Sequence, residues 1–470
     1  MRRSVKRLSA SALLSVVALA CGTAQPPKDP RAPAGLTPAA RAALESREAH
    51  RLAASLSDEV GPRLAGSPGD SAAVGWAERT MRALGLVNVH LEPVVVPVWR
   101  RGEEAARIVG GGADEGKLDV NALGWSGSTA PEGVEAEVVR AANVNELAEM
   151  PDDRVRGKVV FVDAGMRRAP DFSGYGQAAP TRYRAQKVAA AKGAAAALIR
   201  SVGTDADNPH TGATNRDADP ALPIGALSNT SADRLARAVA AGPVRLRLVL
   251  TSTRPGEARS ANVVGEVRGA ERPDEVVLLA AHLDSWDTGR GAIDDAAGCG
   301  VVLDTARLLA REKPARTVRV VLFAAEENSR AGGTRYAEAH AAEADRIVLA
   351  LEVDGGTDRV KSIGLVGDPA RASVLREIVQ PLAPLGVAFH DGKGHAGADV
   401  TPLVARGVPA IDLGQDSSRY FDIHHTAADT SDKLDPAGLS QITAVVAHVT
   451  ARAAEAATSF GRVPPSLAKD

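Results

Sequence analysis

Cysteine is nearly absent from this chain: 470 residues contain two, Cys21 and Cys299. Cys21 ends the N-terminal stretch "MRRSVKRLSASALLSVVALAC", a processing-site position that makes a disulfide framework untenable, so stability must come from a packed core. An excess of either charge is missing too, with 56 Lys and Arg against 58 Asp and Glu. No net field therefore favours nucleic acid or an anionic membrane as partner. There is no internal repeat, and after the N-terminal stretch no apolar run long enough to span a bilayer. What is present is ordinary globular composition, 44 % hydrophobic and 24 % charged, in a chain too long for one core. Two domains, or one large domain carrying an insert, are expected.

A basic start, a short apolar stretch and small residues before Cys21 form the pattern of an export signal over residues 1–21. Its end, "ALAC", resembles a bacterial lipobox, although Leu19 and Ala18 are not the commonest residues there. Both a lipid anchor at Cys21 and simple cleavage fit, giving an exported protein that is periplasmic, membrane-anchored or extracellular. Residues 22–35, with "QPPKDPRAPAG", read as a Pro-rich linker.

From Leu36 to about Val60 the spacing is helical, and "SAAVGWAERTMRALGL" is a second amphipathic helix before the strand "VHLEPVVVPVW". Residues 118–253 have another texture: short strands such as "GKVVFVDA" and "VRLRLVL" alternate with helices, among them the Ala-rich "YRAQKVAAAKGAAAALIRS". This segment reads as an inserted α/β module between the two parts of a main domain, 36–117 and 254–462. In the second part, near-continuous apolar strands ("EVVLLAA", "TVRVVLFAA", "DRIVLALEV", "VPAIDLG") alternate with helices. That pattern predicts an α/β fold with a mostly parallel central sheet flanked by helices on both faces. The final helix should open with Asp435 as N-cap and Pro436 at its first position.

Ligands of open α/β sheets bind beyond the carboxyl ends of the strands. His282 and Asp284 follow the first of these strands, Glu326 and Glu327 the second; Asp354 ends the third, and His425 lies past the fourth. Singly, each has a plain structural explanation, such as a helix cap for Asp294 or Asp295, but together they crowd one edge with imidazoles and carboxylates. Such donors suit zinc, and there are too many for one four-coordinate ion. Two ions are the economical reading, with Asp294 placed to bridge ions about 3.5 to 4 Å apart. Of the adjacent pair Glu326 and Glu327, one can coordinate while the other moves protons.

The motifs "HLDSWDTGRGAIDD", "AAEE", "LEVDGGT" and "HHTAADTSDKLDP" resemble the co-catalytic zinc exopeptidases related to bacterial leucyl aminopeptidase, and most closely their carboxypeptidase Q branch. "GPRLAGS", "ALGWSGSTAPEG" and "PHTG" extend the likeness over nearly the whole mature chain. The resemblance implies two Zn2+ per chain, with His282 and Asp354 on one ion, Glu327 and His425 on the other, and Asp294 between them. It implies Glu326 as general base and acid, and Asp284 as the group orienting His282. His425 is preferred to His424 because "HTAADT" matches the family spacing; Asp295 is left as a cap or supporting group, and Asp429 as support for the His425 loop. Asp287 fits the pattern without an assigned role, and His395 reads as local structure. The insert is implied to be a protease-associated domain, the substrate a dipeptide or short peptide with free termini, and the assembly a homodimer. An aminopeptidase acting on longer peptides and a non-catalytic binding protein on the same fold are the competing expectations.

Overall fold

The computed structural model describes residues 35–110, 112–392 and 394–466. The expected export signal, the lipid anchor at Cys21 and all but the last residue of the expected linker lie outside the described residues. The main sheet has eight strands in the order Val87–Arg100, Thr253–Val267, Arg316–Phe323, Arg272–His282, Ile347–Glu352, Ala410–Gln415, Val360–Val366 and Ala388–Phe389. Its central four strands are parallel, and the first two pair antiparallel at one side. The central strands are buried on both faces, which is why they read as continuous apolar runs rather than alternating ones.

The order of these strands creates the site. Strand Arg272–His282 has its successor Arg316–Phe323 on one side and Ile347–Glu352 on the other. The intervening helix Ala297–Leu309 packs into one apolar layer, with the helices Pro38–Glu45, Glu48–Ser55 and Pro436–Glu455. The next helix, Ala331–Ala339, packs into the opposite layer. Successive connections therefore leave to opposite faces, opening a crevice at the strand ends, the topological switch point.

Residues 104–250 build a second eight-stranded sheet with apolar clusters of its own. It begins earlier than the expected boundary at 118, because Glu104–Val109 pairs along its length with Arg245–Leu250, the strand by which the chain returns. The Ala-rich stretch expected to be one helix is a helix, Pro180–Ala191, then a strand, Ala196–Arg200. Gly193 breaks it in the left-handed region (φ 74°), and the strand is buried between two parallel neighbours, where packing overrides alanine's helix propensity. The opening helical segment divides at Ser46, whose hydroxyl bonds Asp304. Helix Pro436–Glu455 starts as read, with Asp435 accepting from the Ala437 amide.

Candidate metal centre

Each apolar strand delivers its first polar side chains where burial ends. His282 is the last residue of its strand; Glu326 and Glu327 lie just past Phe323, and Asp354 just past Glu352. Asp294 sits before helix Ala297–Leu309 in a non-helical conformation (φ −131°, ψ 87°). His425 lies in the loop before the last helix, with φ 63°.

The structure brings all of these groups together. His282 Nδ1 is 3.1 Å from the backbone carbonyl oxygen of Asp284; since a carbonyl only accepts, Nδ1 donates and Nε2 faces the cluster. There it meets two more acceptors, Asp294 Oδ1 at 3.1 Å and Asp354 Oδ1 at 3.6 Å. His425 Nε2 meets Glu327 Oε2 at 3.0 Å and Asp294 Oδ2 at 3.3 Å. The two oxygens of Asp294 thus face different imidazoles. Asp294 Oδ2, Glu327 Oε1 and Asp354 Oδ1 are nevertheless buried without a hydrogen-bond partner among the described residues. Donors on one tetrahedral ion, with bonds near 2.0–2.1 Å, stand about 3.3 Å apart. His282 Nε2 and Asp294 Oδ1 have hydrogen-bond geometry, but the other three spacings, 3.0 to 3.6 Å between atoms not aligned for hydrogen bonds, match ligand edges better than ion pairs. The donor set fits metal.

Electrostatics points the same way. Burial pushes Glu326 up to about 7, and burial with repulsion from Asp294 pushes Glu327 up to about 8. Burial works against the charged form of His282 and His425, yet the carboxylates around them hold both well above the usual imidazole range. So many buried carboxylates ionise together only if positive charge is placed among them. His424 also reaches the cluster: its ring stacks on His425 with centroids 3.5 Å apart, and its Nε2 is 3.5 Å from Asp294 Oδ2. Burial and the neighbouring His425 hold it well below the ordinary value.

Of the supporting residues, Asp284 differs in detail from its expected role. The carboxylate of Asp284 stands 3.7 Å from His282 Nδ1, and its Oδ1 instead accepts the Glu326 amide at 2.9 Å. The Asp284 backbone therefore orients the imidazole while its side chain holds the Glu326 backbone. Asp295 accepts from the amides of His282 and Gly298, combining support with a helix cap. Asp429 accepts from the amides of Ala292 and Ile293, tying the His425 loop to the turn that carries Asp294. His395 accepts only from the amide of Gly397 among its described hydrogen bonds.

Several contributors fall in motifs that carry the family likeness, but no pattern in the sequence assigned them a role. Arg63, within "GPRLAGS", is wholly buried and donates to the carbonyls of Leu283, Arg290 and Gly291, clamping the loop that follows His282. Asp287 binds Arg101 at 2.8 Å, where the chain enters the second sheet. Beside it, Trp286 is buried in that sheet's apolar cluster with Trp99 and Trp125. It lies so close over Gly124 that a Cβ there would be 2.1 Å from the indole. His210 Nδ1 bonds the His424 carbonyl oxygen at 2.7 Å, the Thr211 amide donates to the His425 carbonyl at 3.0 Å, and Asp205 backs His210. A cleft of ≈ 1440 Å³ opens at the cluster, lined by Glu326, Glu352 and Asp354 of the main sheet's loops and by Phe172, Tyr175 and Arg182 of the second unit.

Fold and site together define the class, a metallo-exopeptidase that hydrolyses peptide bonds. Residues 262–450 match the model of peptidase family M28. Carboxypeptidase Q of Mus musculus is 33 % identical over 406 residues, covering 84 % of this chain and 84 % of its own. The crystal structure of a peptidase M28 precursor from Shewanella amazonensis SB2B aligns with a TM-score of 0.88 at 41 % identity, over 91 % of this chain and 97 % of that one. A zinc aminopeptidase of Bacillus subtilis shares the fold, with a TM-score of 0.65 at 19 % identity over 89 % and 97 %. The chain belongs to peptidase family M28. Among its described residues, no helix is long and apolar enough to cross a membrane.

Proposed function

We propose that the chain is an exported dinuclear zinc metallopeptidase that hydrolyses dipeptides or short peptides with free termini. The observation that carries this is Asp294, whose two oxygens face the Nε2 atoms of His282 and His425 separately. His282, Asp354 and Asp294 would hold one ion, and Glu327, His425 and Asp294 the other. When bound, zinc supplies Lewis acidity and lowers the pKa of water to about 7. Glu326, on the cleft wall and fixed through Asp284, takes a proton from the attacking water and delivers it to the leaving amine nitrogen as the C–N bond breaks. The second sheet supports the reading of an inserted protease-associated domain that also lines the cleft. Export through residues 1–21, with Cys21 as anchor or cleavage site, and a homodimer complete the proposal. The mass of the mature N-terminus and sedimentation test these.

Metal content and turnover test the core of the reading. Zinc-loaded wild type should hold two equivalents and cleave free dipeptides, while folded Glu326→Gln keeps the metal and loses at least about 10³-fold in kcat, the upper range for a lost proton-transfer group. Equal turnover by both proteins would refute the mechanism. The size of the cleft favours a second reading, an aminopeptidase acting on longer peptides. Such an enzyme tolerates an extended or amidated C-terminus, whereas a dipeptidase does not.

A further inference from the structure

We propose that Arg182 anchors the free carboxylate of the substrate, one residue beyond the scissile bond. The inference deepens the peptidase reading and rests on it.

Arg182 lies in the first turn of helix Pro180–Ala191, a turn with no acidic residue. A helix N-terminus carries partial positive charge, so a cation there is locally unfavourable and an anion is welcome. The side chain is buried, with the residue 8 % exposed. Its described hydrogen-bond partners carry no negative charge: Nη2 bonds the Tyr175 hydroxyl and Nη1 is 3.4 Å from the Thr211 carbonyl oxygen, while His425 Nδ1, 3.5 Å away, carries its proton when Nε2 faces a metal and so cannot accept. Nε has no hydrogen-bond partner among the described residues. A stack on the Tyr175 ring, 5.3 Å from the guanidinium carbon, offsets part of the burial cost.

Arg63 shows how the same molecule treats a buried structural arginine. Its Nε and both Nη atoms donate to backbone carbonyls within 2.8 Å, leaving no nitrogen idle. Arg182, on the cleft wall, keeps donor capacity at Nε and has no carboxylate among its described hydrogen-bond partners. A guanidinium of that kind matches a carboxylate, which it can bind by two parallel hydrogen bonds.

Position specifies which carboxylate. Arg182 approaches His425 from its Nδ1 side, while Nε2 of the same ring faces Glu327 and Asp294. The anchor is therefore one imidazole away from the reacting centre, and one residue of extended peptide covers about 3.3–3.6 Å. The anion within reach is the α-carboxylate of the residue directly after the cleaved bond. The leaving product is then a single free amino acid.

The test compares kcat/KM for a dipeptide and for its C-terminal amide, using zinc-loaded full-length wild type, Arg182→Lys and Arg182→Gln, with metal content and melting temperature measured for each. Wild type should prefer the free acid by at least about 100-fold, given two charge-assisted hydrogen bonds. The ratio should fall to within about threefold in Arg182→Gln and to an intermediate value in Arg182→Lys, which keeps the charge without the fork. If the glutamine variant does not fold, the lysine variant decides. A wild-type ratio near one overturns the assignment, as does a parallel loss on both substrates, the signature of a residue that only supports His425. Wild type that cleaves neither substrate overturns the peptidase reading together with this one.

Discussion

His282 and His425 face the same carboxylate from opposite sides, but they are held by different parts of the molecule. His282 ends a strand; its amide donates to Asp295 and its Nδ1 to the Asp284 carbonyl, all within the main domain. His425 lies in a loop with left-handed backbone, and the carbonyls on either side of its peptide are gripped by His210 and Thr211 of the second sheet. A strand end places a ligand through hydrogen bonds that the sheet already makes. A loop residue at positive φ, strained by about 1 kcal/mol or more, needs partners from outside to keep its geometry. The second unit is therefore part of the site, although it supplies none of the proposed ligands.

Removing the shared group should have the largest effect. Asp294→Ala would break both halves, lowering kcat/KM by at least about 10³-fold with loss of bound metal. It should also abolish the drop in melting temperature that a chelator causes in wild type, which linkage puts near 4 kcal/mol of stability at a thousandfold excess over Kd. Elemental analysis and calorimetry read both effects. Next comes His210→Ala, which should weaken binding of one of the two proposed ions by about 10- to 100-fold while the other stays put. Titration of metal-free protein with cobalt(II) would show two separated phases, and equal weakening of both would contradict the division between the two histidines. The smallest change should come from Asp287→Ala, which leaves Arg101 with Glu104 as its one described carboxylate and with the Ala122 carbonyl and Thr211 hydroxyl as neutral partners. Loss of about 1–2 kcal/mol of stability is expected, with metal stoichiometry unchanged. Thermal melting and metal analysis on one sample check this.

The contrast between the two histidines also explains what could be read from the sequence. His282, Glu326, Glu327 and Asp354 were legible because each follows an apolar run buried on both faces, so its position on a sheet edge follows from the pattern alone. The α/β class was legible for the same reason. Asp284 was only half legible: His282 is nearer to its carbonyl than to its carboxylate, which spans the gap to Glu326 instead. Arg63 with Leu283, Asp287 with Arg101, and His210 with His424 join positions roughly two hundred residues apart. Contacts at that separation leave no periodicity, and nothing in the residue types announces them. Strand Ala196–Arg200 was missed because five residues at the end of an alanine run look helical until their neighbours are known.

Trp286 carries a consequence for how the protein comes into being. Its indole fills a socket made by Gly124 of the second unit and by Trp99, at the end of the strand that leads into it. A ribosome completes residues 104–250 before it reaches Trp286, and later still His425, so the socket and the grip on the histidine loop can be ready before the segments they receive have been made. Domains generally fold in that order during synthesis. The unit of residues 104–250 would then serve as a mould for the loops of the proposed centre, and a chain trimmed of it would be left with an exposed indole and an unsupported histidine.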